Sequence, residues 1–483
     1  MKPVHELSIT EAGVALRNGS LTSAELTETL LHRIAAIDPH LSLFFLVTED
    51  RARADARRAD AELRAGRDRG PLHGIPYGLK DILDTEGIPT TCNSRLFVDR
   101  RPAEDSTVEA RLRAGGAVLL GKLSTSEFAC GGPGDDLPFP VSKNPWNREY
   151  YTGGSSSGSA GAVASGMMRL AIGTDTGGSA RVPAAYCGVV GLKPTYGLVS
   201  KRGLFPLSPS LDHCAPLARS VEDMALVMNA IAGFDPRDPA SVERPYVDHR
   251  RKIGEGIEGL RIGYARQTMV EAKVFPESIA NLDKAGETLR RLGAVVEEVK
   301  LPDFELFRAC SRVIVSGEAF ALHEETLRTR PLDYGRQTYQ RLIAGAALSA
   351  SDLIQAFRLR RELIEAINID ILCRYDAIVM ATALGQAPRL DSFVAGTPPS
   401  MAGSPTIIGN LTGNPAISVP FGLSIAGLPL GLQIIGRPFD EPTILQIAAA
   451  LEESQDGADV DFEFDFPPIT RTHATTSPTD SIH

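Results

Sequence analysis

The chain has 483 residues, enough for a large buried core, and 43% are apolar against 23% charged, the balance of a folded globular protein rather than a disordered or fibrous one. A net charge of −10 argues against nucleic acid or anionic lipid as the main partner. No apolar run approaches the ~18 residues of a membrane helix, and the N-terminal MKPVHELSIT lacks the apolar core of a signal peptide, so no membrane association and a cytoplasmic location are expected.

In chain order, the first clear element is a helix over 22–37. Thr22 and Glu25 form a capping box, Leu26, Leu30, Ile34 and Ile37 share one face, and Pro39 follows where a helix is expected to have stopped. A charged helix is expected over 51–65, ended by Gly66, with acids interrupting its arginines as on a solvated face. Residues 75–80 read as a short apolar strand that delivers Lys80 and Asp81 at its end. A helix over 107–114, Gly115-Gly116 and a strand over 117–120 then give a helix, a glycine stop and a short apolar strand, the pattern of α/β layering. It returns as helix 277–292, Gly293 and strand 294–299, and again as helix 351–373 and strand 376–380, with two further core strands at 416–419 and 432–435. Residues 233–257 are polar and proline-bearing, a surface excursion rather than a domain boundary. The expected domain spans 1–470, and the terminal THATTSPTDSIH reads as a disordered tail over 471–483.

The six cysteines, Cys92, Cys130, Cys187, Cys214, Cys310 and Cys373, form no CxxC pair, so zinc ligation has no support and a reduced compartment is indicated. No metal and no organic cofactor are expected.

Residues 152–196 differ from the rest. Glycine, serine and alanine dominate, yet the apolar stretch 167–172 and the following AAYCGVVGLKP are foreign to a flexible linker. A helix of small residues over 157–165, a buried strand over 170–172 and a glycine-rich loop over 174–179 fit better. Two motifs compete for a nucleophile. Gly154-Ser155-Ser156-Ser157-Gly158 formally matches G-x-S-x-G and nominates Ser156, with His213 or His323 as its base, but any Gly/Ser-rich run makes that match. In GTDTGGSAR, over 173–181, Ser179 instead follows glycines whose backbone amides can converge on one point, as a tetrahedral oxyanion requires. Serine needs a base, and no histidine stands near it in sequence.

These segments resemble the amidase signature family: GGSSSGSA, with GTDTGGSAR following so that Ser179 lies 24 residues after Ser155, PLHGIPYGLKD upstream, CGVVGLKPTYGLVS and SLDHCAPLARSVED downstream, and GNPAISVPFG…GLPLGLQIIGRPFDE near the end. The match runs from about residue 5 to 455. The resemblance implies a Ser–cisSer–Lys triad, with Ser179 as nucleophile, Ser155 as the serine preceded by a cis peptide and Lys80 as base. It implies an oxyanion hole from Thr176, Gly177, Gly178 and Ser179, a supporting Ser156, and Asp175 and Arg181 bracing the loop. Lysine serves as a base only when neutral, which asks for its pKa to fall from about 10.4 to near 7–8. Burial among hydroxyls pushes that way. Lys122, in GKL after another strand, reads as structural.

The implied fold is one large α/β/α domain around a mixed, twisted sheet of about eleven strands; homodimers are common in the family. The implied reaction is hydrolysis of a small carboxylic amide, an aryl amide or carbamate among them, through a Ser179 acyl-enzyme. The expected partners are that small-molecule amide and water, without nucleic acid. The alternative is the glutaminase subunit of a tRNA-dependent amidotransferase, passing ammonia to a partner protein. His213 stands where that subunit usually carries glutamine, and FACGGPGDDLPFP departs from its pattern, both favouring the stand-alone enzyme. Cys130, Gly131 and Gly132 are candidates for the substrate pocket, with the wider stretches 130–138, 310–345 and 395–405, and Phe139 and Tyr150 as walls.

Overall fold

In a computed structural model, residues 2–134, 136–393 and 404–455 are described. The expected tail over 471–483 and most of the 395–405 stretch lie outside them. One sheet of eleven strands organises the chain: β1 (Phe44–Val47), β2 (Pro76–Lys80), β3 (Val118–Leu123), β4 (Leu170–Asp175), β5 (Val190–Lys193), β6 (His213–Ala218), β7 (Arg261–Tyr264), β8 (Val295–Glu298), β9 (Ala377–Ala381), β10 (Ala416–Leu423) and β11 (Pro429–Gly436). Their spatial order is β1-β3-β2-β4-β6-β5-β10-β11-β9-β7-β8. The sheet is mixed. β2 runs parallel to β3 and β4, and β7 to β8 and β9, while the strands between, β6, β5, β10 and β11, pair antiparallel. Helices cover it, and the α/β architecture expected from the sequence is the one observed. No single helix among the described residues is long and apolar enough to cross a membrane.

The centre of the sheet explains where the chemistry sits. β2, β3 and β4 are entirely buried, as parallel strands covered on both faces must be. Because β2 and β4 are parallel neighbours, with Tyr77 opposite Leu170 and Leu79 opposite Ile172, their carboxyl ends reach the same edge. Lys80 ends one and Asp175 the other. Open α/β sheets bind ligands outside such strand ends.

The helix after Thr22 spans Ser23–Leu41 and passes through Pro39 rather than stopping before it. Proline in the last turn removes a single N–H, and the chain beyond is caught elsewhere: Ser42 takes a left-handed φ of 57° and donates to the Asp38 carbonyl, while Asp38 Oδ1 accepts from the Leu43 and Phe44 amides. The helix expected over 351–373 is α-helical over Ala350–Glu365 and continues as a π-helix over Ala366–Ile371.

The small-residue helix Ser157–Ala164 is buried along its whole length. Gly158 donates its N–H to the Ser124 carbonyl, and a Cβ there would lie 2.3 Å from Leu43 O and 2.5 Å from Ser124 N. This close approach fixes the segment carrying Ser155 and Ser156 against the end of β3. Gly158→Ala should therefore destabilise the fold by about 1–3 kcal/mol through overpacking against backbone, read as a lowered urea midpoint; an unchanged midpoint would show that the helix can move away.

Candidate active site

Lys80 has no exposed surface, and its Nζ donates to Ser155 Oγ and to Thr174 Oγ1, each at 2.7 Å. Burial pushes the lysine down to about 7, against the opposing pull of the Asp175 and Asp212 carboxylates. Near neutral pH a large share of Lys80 is thus the free amine, whose lone pair can accept the Ser155 proton.

The Gly154–Ser155 peptide is cis. The Ser155 carbonyl accepts from the Ser126 amide at 3.2 Å. Ser156 faces the other way: its hydroxyl donates to the Thr174 carbonyl and accepts the Thr174 N–H, both at 3.1 Å, and its own N–H donates to the Ser179 carbonyl at 3.0 Å. It is a brace between β4 and the loop after it. His213 and His323, the bases of the competing motif, make no hydrogen bond to it. The His213 ring meets Lys193 Nζ at 3.1 Å and the Leu211 carbonyl at 2.7 Å, while His323 Nδ1 meets the Tyr334 hydroxyl at 2.9 Å. Lys122 is buried in an ion pair with Asp81 and donates to the Leu83 carbonyl and Thr90, as a structural lysine would.

Ser179 is half-buried, and no hydrogen bond joins its hydroxyl to that of Ser155. Its position is set by the main chain around Asp175. That carboxylate is gripped by Arg181 at 2.9 and 3.0 Å, by Asn410 Nδ2 at 2.9 Å, and by the amides of Gly178, Ala180 and Arg181. Burial opposes its ionisation, but the Arg181 guanidinium holds it well below the usual carboxylate range. Arg181, fully buried, also donates to Gln433 and to Asn410 Oδ1. Gly178 has φ 122°, and a Cβ there would fall 2.1 Å from Thr406 Oγ1, whose hydroxyl holds the Gly177 carbonyl at 2.8 Å. Of the four amides expected to face an oxyanion, that of Gly178 is engaged by Asp175 Oδ1 at 2.8 Å; those of Thr176, Gly177 and Ser179 have no partner among the described residues. Thr176 Oγ1 donates to Asp212 at 2.6 Å, and burial pushes that carboxyl up to about 6.

Sequence reasoning missed Thr174, Asp212, Thr406, Asn410 and Gln433. Thr174, Asp212 and Gln433 lie inside quoted motifs and could have been flagged; Thr406 and Asn410 lie outside them and carried no signal. Of the expected pocket residues, Gly132, Pro133, Gly134 and Leu137 border a cavity beside Ser126, together with Phe139. Cys130 and Gly131 instead offer their carbonyls to Arg341 Nη1, at 2.6 and 3.2 Å, which ties that stretch to the helix Arg336–Ile343. Tyr150 packs in a separate small cluster with Val182 and Tyr186. Among the described residues no group of three or more His, Cys, Asp or Glu side chains is placed to hold a metal ion.

The Amidase family profile matches residues 25–445. A glutamyl-tRNA(Gln) amidotransferase subunit of Synechococcus sp. (strain WH7803) is 40% identical over 475 residues, covering 93% of this chain and 97% of that protein. The protein of the same name from Roseiflexus sp. (strain RS-1) is 38% identical over 484 residues, covering 94% and 98%. Among solved structures, a chain of a vestigial protein complex reported to reveal the evolutionary origins of an s-triazine catabolic enzyme superposes with a TM-score of 0.88 at 34% identity, covering 93% of this chain and 99% of that one. A peptide amidase bound to chymostatin gives 0.84 at 34% identity, covering 94% and 98%.

These findings correct one expectation. Partners limited to a small amide and water, without nucleic acid, do not stand against relatives named as part of a glutamyl-tRNA(Gln) amidotransferase. The net charge of one chain is blind to what other chains of an assembly contact. The same relatives favour the alternative, membership of an amidotransferase, over the stand-alone reading. With the profile matching most of its length, this chain belongs to the amidase signature family and is a hydrolytic amidase.

Proposed function

We propose that this chain is the amide-hydrolysing subunit of a tRNA-dependent amidotransferase, releasing ammonia from glutamine through an acyl-enzyme on Ser179. The observation that carries the catalytic part is the buried Lys80 amine 2.7 Å from Ser155 Oγ, with burial disfavouring its ammonium form. The subunit role rests on the name shared by relatives 38% and 40% identical over nearly the whole chain. A cytoplasmic setting accords with six free cysteines.

In this reading Ser179 Oγ attacks the carboxamide carbon as its proton passes to Ser155 and the Ser155 proton to Lys80. The hydroxyl contact between Ser179 and Ser155 closes when substrate is bound, as catalytic hydrogen bonds often do. The oxyanion is met by the unpartnered amides of Gly177 and Ser179, with that of Thr176 beside them; the Gly178 amide serves the loop by holding Asp175. Asp175 and Arg181 act on the loop, not on the substrate. The C–N bond breaks as Ser155 returns a proton to nitrogen, and ammonia leaves. Water then attacks the acyl carbon by the same relay and frees glutamate and Ser179 Oγ. Electrostatic preorganisation of this kind contributes most of the barrier lowering in acyl transfer, about 3–4 kcal/mol per oxyanion donor.

Ser179→Ala should abolish both glutamine hydrolysis and labelling by a fluorophosphonate; retention of near-normal turnover would remove Ser179 from the mechanism. Because the neutral amine is the base, acylation in the wild type should rise with pH and level off above about 7. Lys80→Ala should remove that rise along with most of the rate, and an unaltered pH profile would exclude Lys80. Ammonia release from L-glutamine, together with amidation of glutamyl-tRNA when the remaining subunits are supplied, supports the subunit role. Turnover of simple amides with none from glutamine would contradict it.

A further inference from the structure

The loop after β4 leaves its peptide groups in two different conditions. Gly178 is buried, whereas Gly177 and Ser179 on either side of it are half-buried. The peptide between Gly177 and Gly178 is bonded at both ends: its carbonyl accepts from Thr406 Oγ1 at 2.8 Å, and its N–H donates to Asp175 Oδ1 at 2.8 Å. The carbonyl and N–H of a trans peptide point to opposite sides of the chain, so partners on both sides fix the orientation of the plane. No other group among the described residues donates to the Gly177 carbonyl. The clamped plane sets ψ of Gly177 and φ of Gly178, and with them the two flanking peptides, which carry the unpartnered amides of Gly177 and Ser179.

Thr406 is placed for this contact rather than for a local one. It is the N-cap residue of the helix Ile407–Thr412, where a threonine hydroxyl ordinarily accepts from an amide of its own first turn, yet its side chain makes no such bond. The hydroxyl crosses to the loop instead, and the side chain has no exposed surface. It also lies against Gly178, where an added Cβ would come within 2.7 Å of Thr406 Cβ. The same short helix sends Asn410 Nδ2 to Asp175 Oδ1 at 2.9 Å, the oxygen that takes the Gly178 N–H. One element thus reaches the clamped peptide from both ends, directly at its carbonyl and through Asp175 at its N–H.

We propose that Thr406 is a positioning residue for amide hydrolysis, whose hydroxyl holds the Gly177–Gly178 peptide so that the amides of Gly177 and Ser179 stay aligned on the oxyanion. The proposal rests on the reading of Ser179 as nucleophile and of those amides as its oxyanion donors. Thr406 acts through the main chain and not on the substrate. Without its hydroxyl the Gly177 carbonyl is a buried acceptor with no donor, a costly state that the peptide relieves by turning toward the half-exposed side of the loop. The flanking amides turn with it. Donors that stabilise an oxyanion act only when they are aimed in advance, so a small rotation here is felt in the rate.

The test compares the wild type with Thr406→Val, which keeps the side-chain shape without the hydroxyl, Thr406→Ala, which cannot overpack, and Thr406→Ser, which keeps the hydroxyl. The rate constant for labelling of Ser179 by a fluorophosphonate is measured against pH, with the thermal midpoint of each protein alongside. Labelling should slow by about 10- to 100-fold in Thr406→Val and Thr406→Ala, and Thr406→Ser should recover most of the rate. The pH midpoint of labelling should stay near 7 in every protein, because Lys80 is untouched; a general loosening of the site would move it. Amide turnover should lose kcat with KM little changed, as expected for an interaction made in the transition state. Wild-type rates in both Thr406→Val and Thr406→Ala, a loss in Thr406→Ser equal to theirs, or a displaced pH midpoint overturns the role of Thr406 and leaves Ser179 in place. A wild type that is not labelled at Ser179 overturns the nucleophile assignment and the role of Thr406 with it, so the two failures are distinguished.

Discussion

A lysine buried without a carboxylate in contact is the constraint around which the site is built. Lys80 meets only hydroxyl oxygens, Ser155 and Thr174, and the nearest acids are occupied elsewhere. Asp175 is neutralised by Arg181, and Asp212 is engaged by Thr176 and the Leu207 and Ser208 amides. Lys122, one strand away and equally buried, is instead paired with Asp81. Burial lowers both lysines, but only Lys80 is presented to a serine hydroxyl. On the proposed reading, the difference between a structural lysine and a base is therefore the identity of one partner.

That arrangement follows from strand order. Parallel pairing of β2 with β4 brings Lys80 and the 174–179 loop to one edge, although 94 residues separate Lys80 from Thr174. The small-residue helix then presses against Leu43 and Ser124 so that Ser155 and Ser156 enter between them. Packing, topology and electrostatics meet at one point: Ser156 ties strand to loop, Asp175 ties the loop to itself, and Arg181 ties the loop to Gln433 on β11 and to Asn410. Around Asp175 each carboxylate oxygen is satisfied, while at the far end of the network Gln433 Nε2 has no partner among the described residues.

Much of this was legible in the chain. The Thr22–Glu25 capping box marks a helix that forms where expected, and Thr107–Ala114 matches its expected span. Lys80 was read at a strand end because an apolar run precedes it. β1 and β5, four residues each, are too short for alternation to show, whereas β8, equally short, was legible from the helix and glycine stop before it. Pro39 misled because a proline costs little in a final turn whose carbonyls are satisfied by other means. Thr406 and Asn410 were invisible because nothing local marks a residue whose partner lies more than 200 positions away, and Gln433, though inside a quoted motif, gave no hint of its partner Arg181. The partners were misjudged because composition describes a single chain.

The central claim is that Lys80 is neutral when the enzyme works, and the most direct measurement of it is a lysine side-chain NMR titration. With lysine carrying a ¹³Cε label, the Lys80 resonance is assigned by its loss in Lys80→Met and followed against pH. The account predicts an apparent pKa near 7, far from the usual lysine value. A resonance that stays charged to pH 10 would contradict it.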